Sequence, residues 1–186
     1  MKRRGFTIVE LIIVITIMGI LLVLGVVNLR GSQVSARDSQ RRSDVDAIAA
    51  NLDQYYSTGN TDLGLSAGTY LSTTSWNGTN TGLLSILPDM DPKSIVAPGN
   101  SDLTHVSFIP ATCSGICSQS VFGISPQPTT DQFVYQPLQS DGTLCTDVAQ
   151  GCRKFNIFFR YETPPTSATP ECPYSGYPCM VSSKNQ

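Results

Sequence analysis

Residues 6–29 read FTIVELIIVITIMGILLVLGVVNL, 24 positions with a single charge, Glu10. Wound as a helix, this stretch reaches about 36 Å, enough to cross a hydrocarbon core of about 30 Å. A short basic head, Met1-Lys2-Arg3-Arg4-Gly5, stands before it. Lys2, Arg3 and Arg4 hold that end in the cytoplasm by the positive-inside rule, so the chain beyond Leu29 faces outward. A removable secretory signal fits poorly. Its apolar core would run only about 7–15 residues and end in an A-x-A-like site, and Gly25 and Gly31-Ser32 form no such site. A plain signal anchor accounts for every residue here except one.

That residue is Glu10. A carboxylate at this depth costs roughly 2.5–3.5 kcal/mol on insertion scales unless a cation meets it. No Lys, Arg or His follows it within the segment. If the chain were cut after Gly5, the new α-amine of Phe6 would lie about one helical turn from Glu10. A neighbouring chain, shifted along the axis, could supply that amine equally well. The buried charge therefore points to processing at Gly5–Phe6 and to self-association.

Lys2-Arg3-Arg4-Gly5-Phe6-Thr7-Ile8-Val9-Glu10-Leu11 resembles the class III signal of type IV pilins and pseudopilins. The resemblance rests on the basic leader, the glycine at the cut, the phenylalanine after it and the acid five residues into the mature chain. It implies cleavage between Gly5 and Phe6 by a prepilin peptidase, N-methylation of Phe6 by the same enzyme, and neutralisation of a neighbour's amine by Glu10 during assembly. One departure stands out. Many pilins carry proline 22 residues into the mature chain, and here that position is Val27, leaving Gly19 and Gly25 as the places where the helix could unwind.

The whole chain has 186 residues, and only 14% of them are charged, against about 25% in an average soluble protein. Net charge is -2, from 12 basic and 14 acidic residues, which gives no support to nucleic-acid binding driven by phosphate attraction. Six cysteines, Cys113, Cys117, Cys145, Cys152, Cys172 and Cys179, all lie in the C-terminal part. An even number in a loop-rich region reads as disulfides formed outside the cytosol. Zinc would need C-x2-C knuckles or histidine partners, whereas the spacings are x3, x6 and x6 and His105 is the single histidine. Local pairs are expected, Cys145 with Cys152 and Cys172 with Cys179, since each brackets a short segment containing Gly or Pro. Cys113 with Cys117 would complete the set across a tight spacing.

Residues 30–57 continue the helix as an amphipathic stalk. Val34, Val45, Ile48, Leu52 and Tyr55 fall on one face of a 3.6-residue period. Four Arg and four Asp occupy the rest. Asp38–Arg41 and Asp38–Arg42 are i,i+3 and i,i+4 pairs worth about 0.2–0.5 kcal/mol each. The charged face either lies over the chain's own domain or meets neighbouring subunits. Counted from Phe6, the helix would run about 52 residues, roughly 78 Å. The stretch ARDSQRRSDVDAIAANLDQYYSTGN is similar to the stalk and first loop of small pilins and pseudopilins.

Residues 58–186 read as a small β-rich head. Residues 57–82 are rich in Ser, Thr, Asn and Gly, a connecting region with a short strand or turn near Thr69–Thr73. Asn77-Gly78-Thr79 matches a glycosylation sequon. Leu83–Leu87 reads as a helical turn stopped by Pro88. His105–Ile109, Val121–Ile124, Gln132–Leu138 and Lys154–Tyr161 read as strands of an antiparallel sheet, the last by alternation of Phe155, Ile157, Phe159 and Tyr161. The tail TPPTSATPECPYSGYPC, with five prolines, is too irregular for a strand.

Chemistry is sparse. Asp89, Asp91, Asp141 and Asp147 could contribute to a calcium site, but they lack a full ligand spacing and read more simply as turn residues. There is no G-x-S-x-G, H-E-x-x-H, P-loop or glycine-rich dinucleotide turn. From Asn60 onward five basic residues face nine acidic ones, which disfavours DNA uptake by this chain. The expectation is an α+β, pilin-like, non-enzymatic subunit with no required cofactor. It would be anchored in the cytoplasmic membrane before assembly and exported as a surface filament after it. Its partners would be copies of itself, a prepilin peptidase, an assembly platform and minor pilins. Alternatives are a pseudopilin of a type II secretion or DNA-uptake system, and a monomeric signal-anchored adhesin.

Overall fold

A computed structural model describes residues 5–60, 66–76, 78–99, 108–112 and 123–184, without the side chains of Val27 and Asn28. It divides into two units, Met1–Ala36 and Arg37–Gln186. Helix α1, Ile8–Thr58, contributes to both. It stops at Gly59, whose φ of 68° is the left-handed conformation that glycine adopts without a Cβ clash. The Gly59 N–H donates to the Tyr55 carbonyl at 2.7 Å, closing the last turn.

In the first unit α1 has no core to pack on. The described large apolar side chains from Phe6 to Leu29 are 44–88% exposed, and by length and composition this helix can cross a membrane. In the second unit one stripe of α1 is buried: Arg41, Val45, Ile48, Ala49, Leu52 and Tyr55. The expected face is thus present from Val45 onward, while Val34 lies in the first unit, outside the core. Helix α2, Asn80–Ile86, starts where the Thr79 side chain accepts from the Gly82 N–H at 3.1 Å. It is longer than the expected turn because that cap opens it earlier, and it buries Leu83 and Ile86.

Four strands form one sheet in the order β1-β2-β3-β4: β1 Phe108–Pro110, β2 Phe133–Leu138, β3 Lys154–Phe159 and β4 Cys179–Ser182. The β2–β3 pair is antiparallel, as expected, and so is β3–β4. The β1–β2 pair is parallel, Phe108 opposite Phe133, so the sheet is mixed. Strand β4 departs from the expected irregular tail. The proline-rich segment is irregular as far as Pro178, but Cys179 re-enters the sheet and Val181 pairs with Ile157. Of the strand expected at Val121–Ile124, Val121 and Phe122 lie outside the described residues, and Gly123–Ile124 form no strand. Of His105–Ile109, only Phe108 and Ile109 are described, both in β1. The segment around Thr69–Thr73 runs beside the Cys145–Cys152 loop (Tyr70 N–H to Cys152 O, 2.8 Å; Thr73 N–H to Cys145 O, 3.1 Å) and then turns.

Side-chain alternation puts Phe133, Tyr135, Phe155, Ile157 and Phe159 on the face that packs against α1 and α2. Val134 and Phe158 face a second, smaller cluster with Ala111 and Ile124. The larger core is aromatic: Trp76, Phe108, Tyr135, Phe155 and Tyr70 form a chain of ring contacts with centroids 4.9–5.9 Å apart. The Tyr135 hydroxyl stays buried by donating to the Leu71 carbonyl at 2.8 Å. Burying each large apolar side chain is worth about 1.5–3 kcal/mol.

Both expected local disulfides are present. Cys145–Cys152 has a Cα separation of 5.5 Å and Cys172–Cys179 one of 4.3 Å. The first closes a loop whose 3-10 turn, Val148–Gln150, is capped by Asp147 and ends at Gly151, φ 75°. Cys113 and Cys117 lie outside the described residues.

Candidate assembly site

The residues expected to serve processing and assembly lie at the start of α1. Gly5, Phe6 and Thr7 precede the helix in irregular backbone, and Phe6 is 88% exposed. Lys2, Arg3 and Arg4 lie outside the described residues. Glu10 is exposed, but it is not without partners. Its Oε2 accepts from the Thr7 N–H and from the Thr7 hydroxyl, both at 2.9 Å, and the Thr7 Oγ1 accepts from the Glu10 N–H at 3.2 Å.

This is a capping box, which satisfies two of the helix's orphan amide donors. The signal that could have found it is the spacing Thr7-x-x-Glu10. A search for a cation alone passes over it. The box gives the carboxylate two hydrogen bonds within its own chain and leaves its negative charge uncompensated, so the two readings of Glu10 are compatible.

A second group of charged residues lies in the other unit, where α1 meets the segment after β3. Arg37 holds Glu162 with two parallel hydrogen bonds, Nε to Oε1 at 2.7 Å and Nη2 to Oε2 at 2.6 Å. Arg41 is 1% exposed, yet every arm of its guanidinium is used. Nε donates to the Thr130 carbonyl at 2.9 Å, Nη1 to Asp38 at 2.8 Å and Nη2 to Glu162 at 2.8 Å. Asp38 also accepts from the backbone N–H groups of Glu162 and Thr163 at 2.8 and 3.0 Å.

The expected Asp38–Arg41 pair is formed. Arg42 turns instead to Asp46 at 3.2 Å and to Glu171 at 2.5 Å. Tertiary contact overrides the weak intrahelical preference because Glu171 lies within reach. This part of the charged face covers the chain's own head. Glu162 and Glu171, which no local pattern marks, are the residues the sequence reading missed.

The guanidinium of Arg37, helped by that of Arg41, holds the Glu162 carboxyl down at about 2. Because the folded value lies below the ordinary one, this contribution is intact above about pH 4.5 and is lost as pH falls towards 2. Asp44 behaves oppositely. Burial, with the nearby charge of Asp91, pushes it up to about 6, and its Oδ2 is buried with no hydrogen-bond partner among the described residues. Its contribution to stability is present below about pH 4 and lost as pH rises through 6. Asp44→Asn is expected to raise stability at pH 7, on the order of 1 kcal/mol after discounting for screening at a half-buried site, and to change little at pH 4. Thermal melts of the two proteins at both pH values check this.

The turn aspartates serve local roles. Asp91 Oδ1 accepts from the Lys93 N–H, Asp141 Oδ1 from the Thr143 N–H, and Asp147 caps its 3-10 turn. Asp89 faces Gln54 at 3.5 Å. Among the described residues no group of three or more His, Cys, Asp or Glu side chains is placed to hold a metal ion.

Residues 1–26 match the family model described as a prokaryotic N-terminal methylation motif. The N-terminal segment is a type IV pilin-like class III signal. Over 54 residues the chain is 41% identical to the type II secretion system core protein G of Dickeya chrysanthemi, covering 29% of this chain and 35% of that one. The Escherichia coli K12 core protein G gives 43% identity over 54 residues, covering 29% of this chain and 37% of that one. The Klebsiella michiganensis protein gives 45% over 54 residues, with 29% and 38% covered. The chain spans a little over a third of the length of these curated relatives. No solved structure matches it. The pilin-like signal thus stands on an apolar helix that no core covers, ahead of an α+β head with two disulfides among the described residues.

Proposed function

We propose that this chain is a structural subunit of a pilin-like filament, assembled through its N-terminal helix, and that the filament is of the pseudopilus kind. The carrying observation is the methylation motif at residues 1–26 seated on an uncovered apolar helix. Such a surface is stable only in a bilayer or packed against like helices, where burial is worth about 25 cal/mol per Å2. Reading the sequence alone puts a surface pilus ahead of a pseudopilus. The relatives named above are secretion-system core proteins, and they favour the pseudopilus.

In this reading a prepilin peptidase cuts between Gly5 and Phe6 and methylates the Phe6 amine. The subunit waits in the cytoplasmic membrane with its head outside. An assembly platform then extracts it, and Glu10 meets the amine of a neighbouring copy. No catalytic step and no cofactor form part of the proposal.

The test is the N-terminal peptide mass of the protein taken from native membranes and from assembled fibres isolated from the cell envelope. A peptide that starts at Phe6 and is one methyl group heavier is expected in both fractions. A chain that keeps Met1 to Gly5 and occurs only in membranes would overturn the filament reading and favour a monomeric anchored domain. Deletion of the chain is expected to block protein export while leaving long surface fibres unaffected. Loss of long fibres with export intact would restore the surface-pilus reading.

A further inference from the structure

The C-terminal end of α1 carries a cavity of about 300 Å3 that the assembly reading does not use, lined by residues of α1 and of the loop after α2. Asn51, Gln54, Tyr55 and Thr58 face it from α1 at the i, i+3, i+4, i+7 spacing of a single helix stripe, with Asn60 beyond the helix end and Asp89 opposite.

Several of the wall's donors are already engaged within the protein. Asn51 Nδ2 donates to the Ala47 carbonyl at 2.9 Å, and Asn60 Nδ2 to the Ile86 carbonyl at 2.9 Å. The Thr58 hydroxyl donates to the Gln54 carbonyl at 3.0 Å, and Gln54 Nε2 is directed at Asp89 Oδ2 at 3.5 Å. Each of these side-chain nitrogens and the hydroxyl already donates within the protein. The hydrogen bond of Asn51 Nδ2 fixes that amide's orientation and leaves its Oδ1 as an acceptor. The Gln54 Oε1 and the outer oxygen of Asp89 are likewise acceptors with no donor among the described residues. Tyr55, 3% exposed, also lines the cavity and holds a buried hydroxyl that has no partner there.

We propose that this cavity binds an alkylammonium or guanidinium group. Two amide oxygens beside one carboxylate suit a ligand that brings several N–H donors and one positive charge. The cavity is too roomy for a bare calcium ion, which needs six to eight oxygens at about 2.3–2.6 Å. The Gln54–Asp89 contact, at 3.5 Å, is loose enough for an inserted donor to take its place. Asp44 lies on the same helix stripe and Asp91, whose charge helps push the Asp44 carboxyl up, on the same loop, and both add negative potential. Lys93, two residues after Asp91, is the loop's own cation and is not among the described residues lining the cavity. The inference stands apart from the filament reading, since it uses no residue of the first unit.

The test uses the isotope-labelled full chain in detergent micelles, titrated with n-butylammonium chloride and with methylguanidinium chloride. Sodium chloride at equal ionic strength is the control. Saturable NMR shifts of the Asn51 and Gln54 side-chain amides at millimolar ligand are expected. Asp89→Asn, at an exposed position and therefore tolerated by the fold, is expected to weaken binding about tenfold by removing the one charge. Asp141→Asn, in a distant turn carboxylate, is expected to leave it unchanged. Equal shifts with sodium chloride, saturation by calcium chloride at lower concentration, or unchanged affinity in Asp89→Asn would each overturn the proposal. Tighter binding of spermidine than of N-acetyl-lysine N-methylamide would identify a free polyamine as the source. The reverse order would identify a basic side chain of another chain.

Discussion

Glu10→Ala is expected to reduce recovered filament more than tenfold while leaving the fold of the head unchanged. The residue belongs to the first unit, and all three of its described hydrogen bonds go to Thr7. Two physical roles coincide on its carboxylate, and a second variant separates them. Glu10→Gln keeps an oxygen for the Thr7 N–H, preserving the helix cap worth about 1 kcal/mol, but removes the charge. If assembly rests on attraction to the amine of a neighbouring Phe6, both variants fail, since an ion pair shielded from water is worth several kcal/mol and a neutral amide cannot replace it. Filament yield restored by Gln would assign Glu10 to capping alone and overturn the pairing. Yield is measured by isolating cross-linked fibres from the cell envelope and immunoblotting, and head integrity by thermal melting.

Asp38→Ala is expected to be the most damaging single change in the charged network, about 3 kcal/mol, or a drop in Tm of roughly 6–12 °C. Asp38 is 13% exposed at its side chain and accepts from three donors: Arg41 Nη1 and the N–H groups of Glu162 and Thr163. Removing it strands two backbone donors and one arm of a buried guanidinium, and the cost of an unmet buried donor exceeds the net worth of a satisfied bond. Asp46 offers the control. Its side chain is 51% exposed and pairs with Arg42 at 3.2 Å, so Asp46→Ala should cost less than about 1 kcal/mol. Equal losses for the two variants, in thermal melts of the full chain in detergent, would show that Asp38 is an ordinary surface charge.

The contrast between these two residues also marks where reading the sequence succeeds. Glu10 is conspicuous because its surroundings in the chain are apolar, and a charge among such neighbours stands out without coordinates. Asp38 sits among Arg37, Arg41, Arg42 and Asp44, where helix spacing offers several partners of nearly equal, small energy. Spacing suggests Asp38 with both Arg41 and Arg42. The structure keeps the first and gives Arg42 to Glu171, 129 residues away in the chain. Strand β4 is hidden for a related reason: CMVS is too short to show a period, and it becomes a strand only because β3 presents an open edge to it. The parallel β1–β2 pair is set by the path of residues between them, which carries no local signature.

The sequence by itself determined the features whose causes lie within a few residues of one another. These are the signal at residues 1–26, the length of the apolar helix, the continuation of the helix to about residue 57, and the two disulfides that each close a separation of seven residues. Only the tertiary structure decided which cations are buried, which carboxylates meet them, and how the strands are ordered. Those outcomes are choices among distant partners. Their energies become unequal only once the chain is folded, when water is excluded from Arg41 and its partners lie within 3 Å.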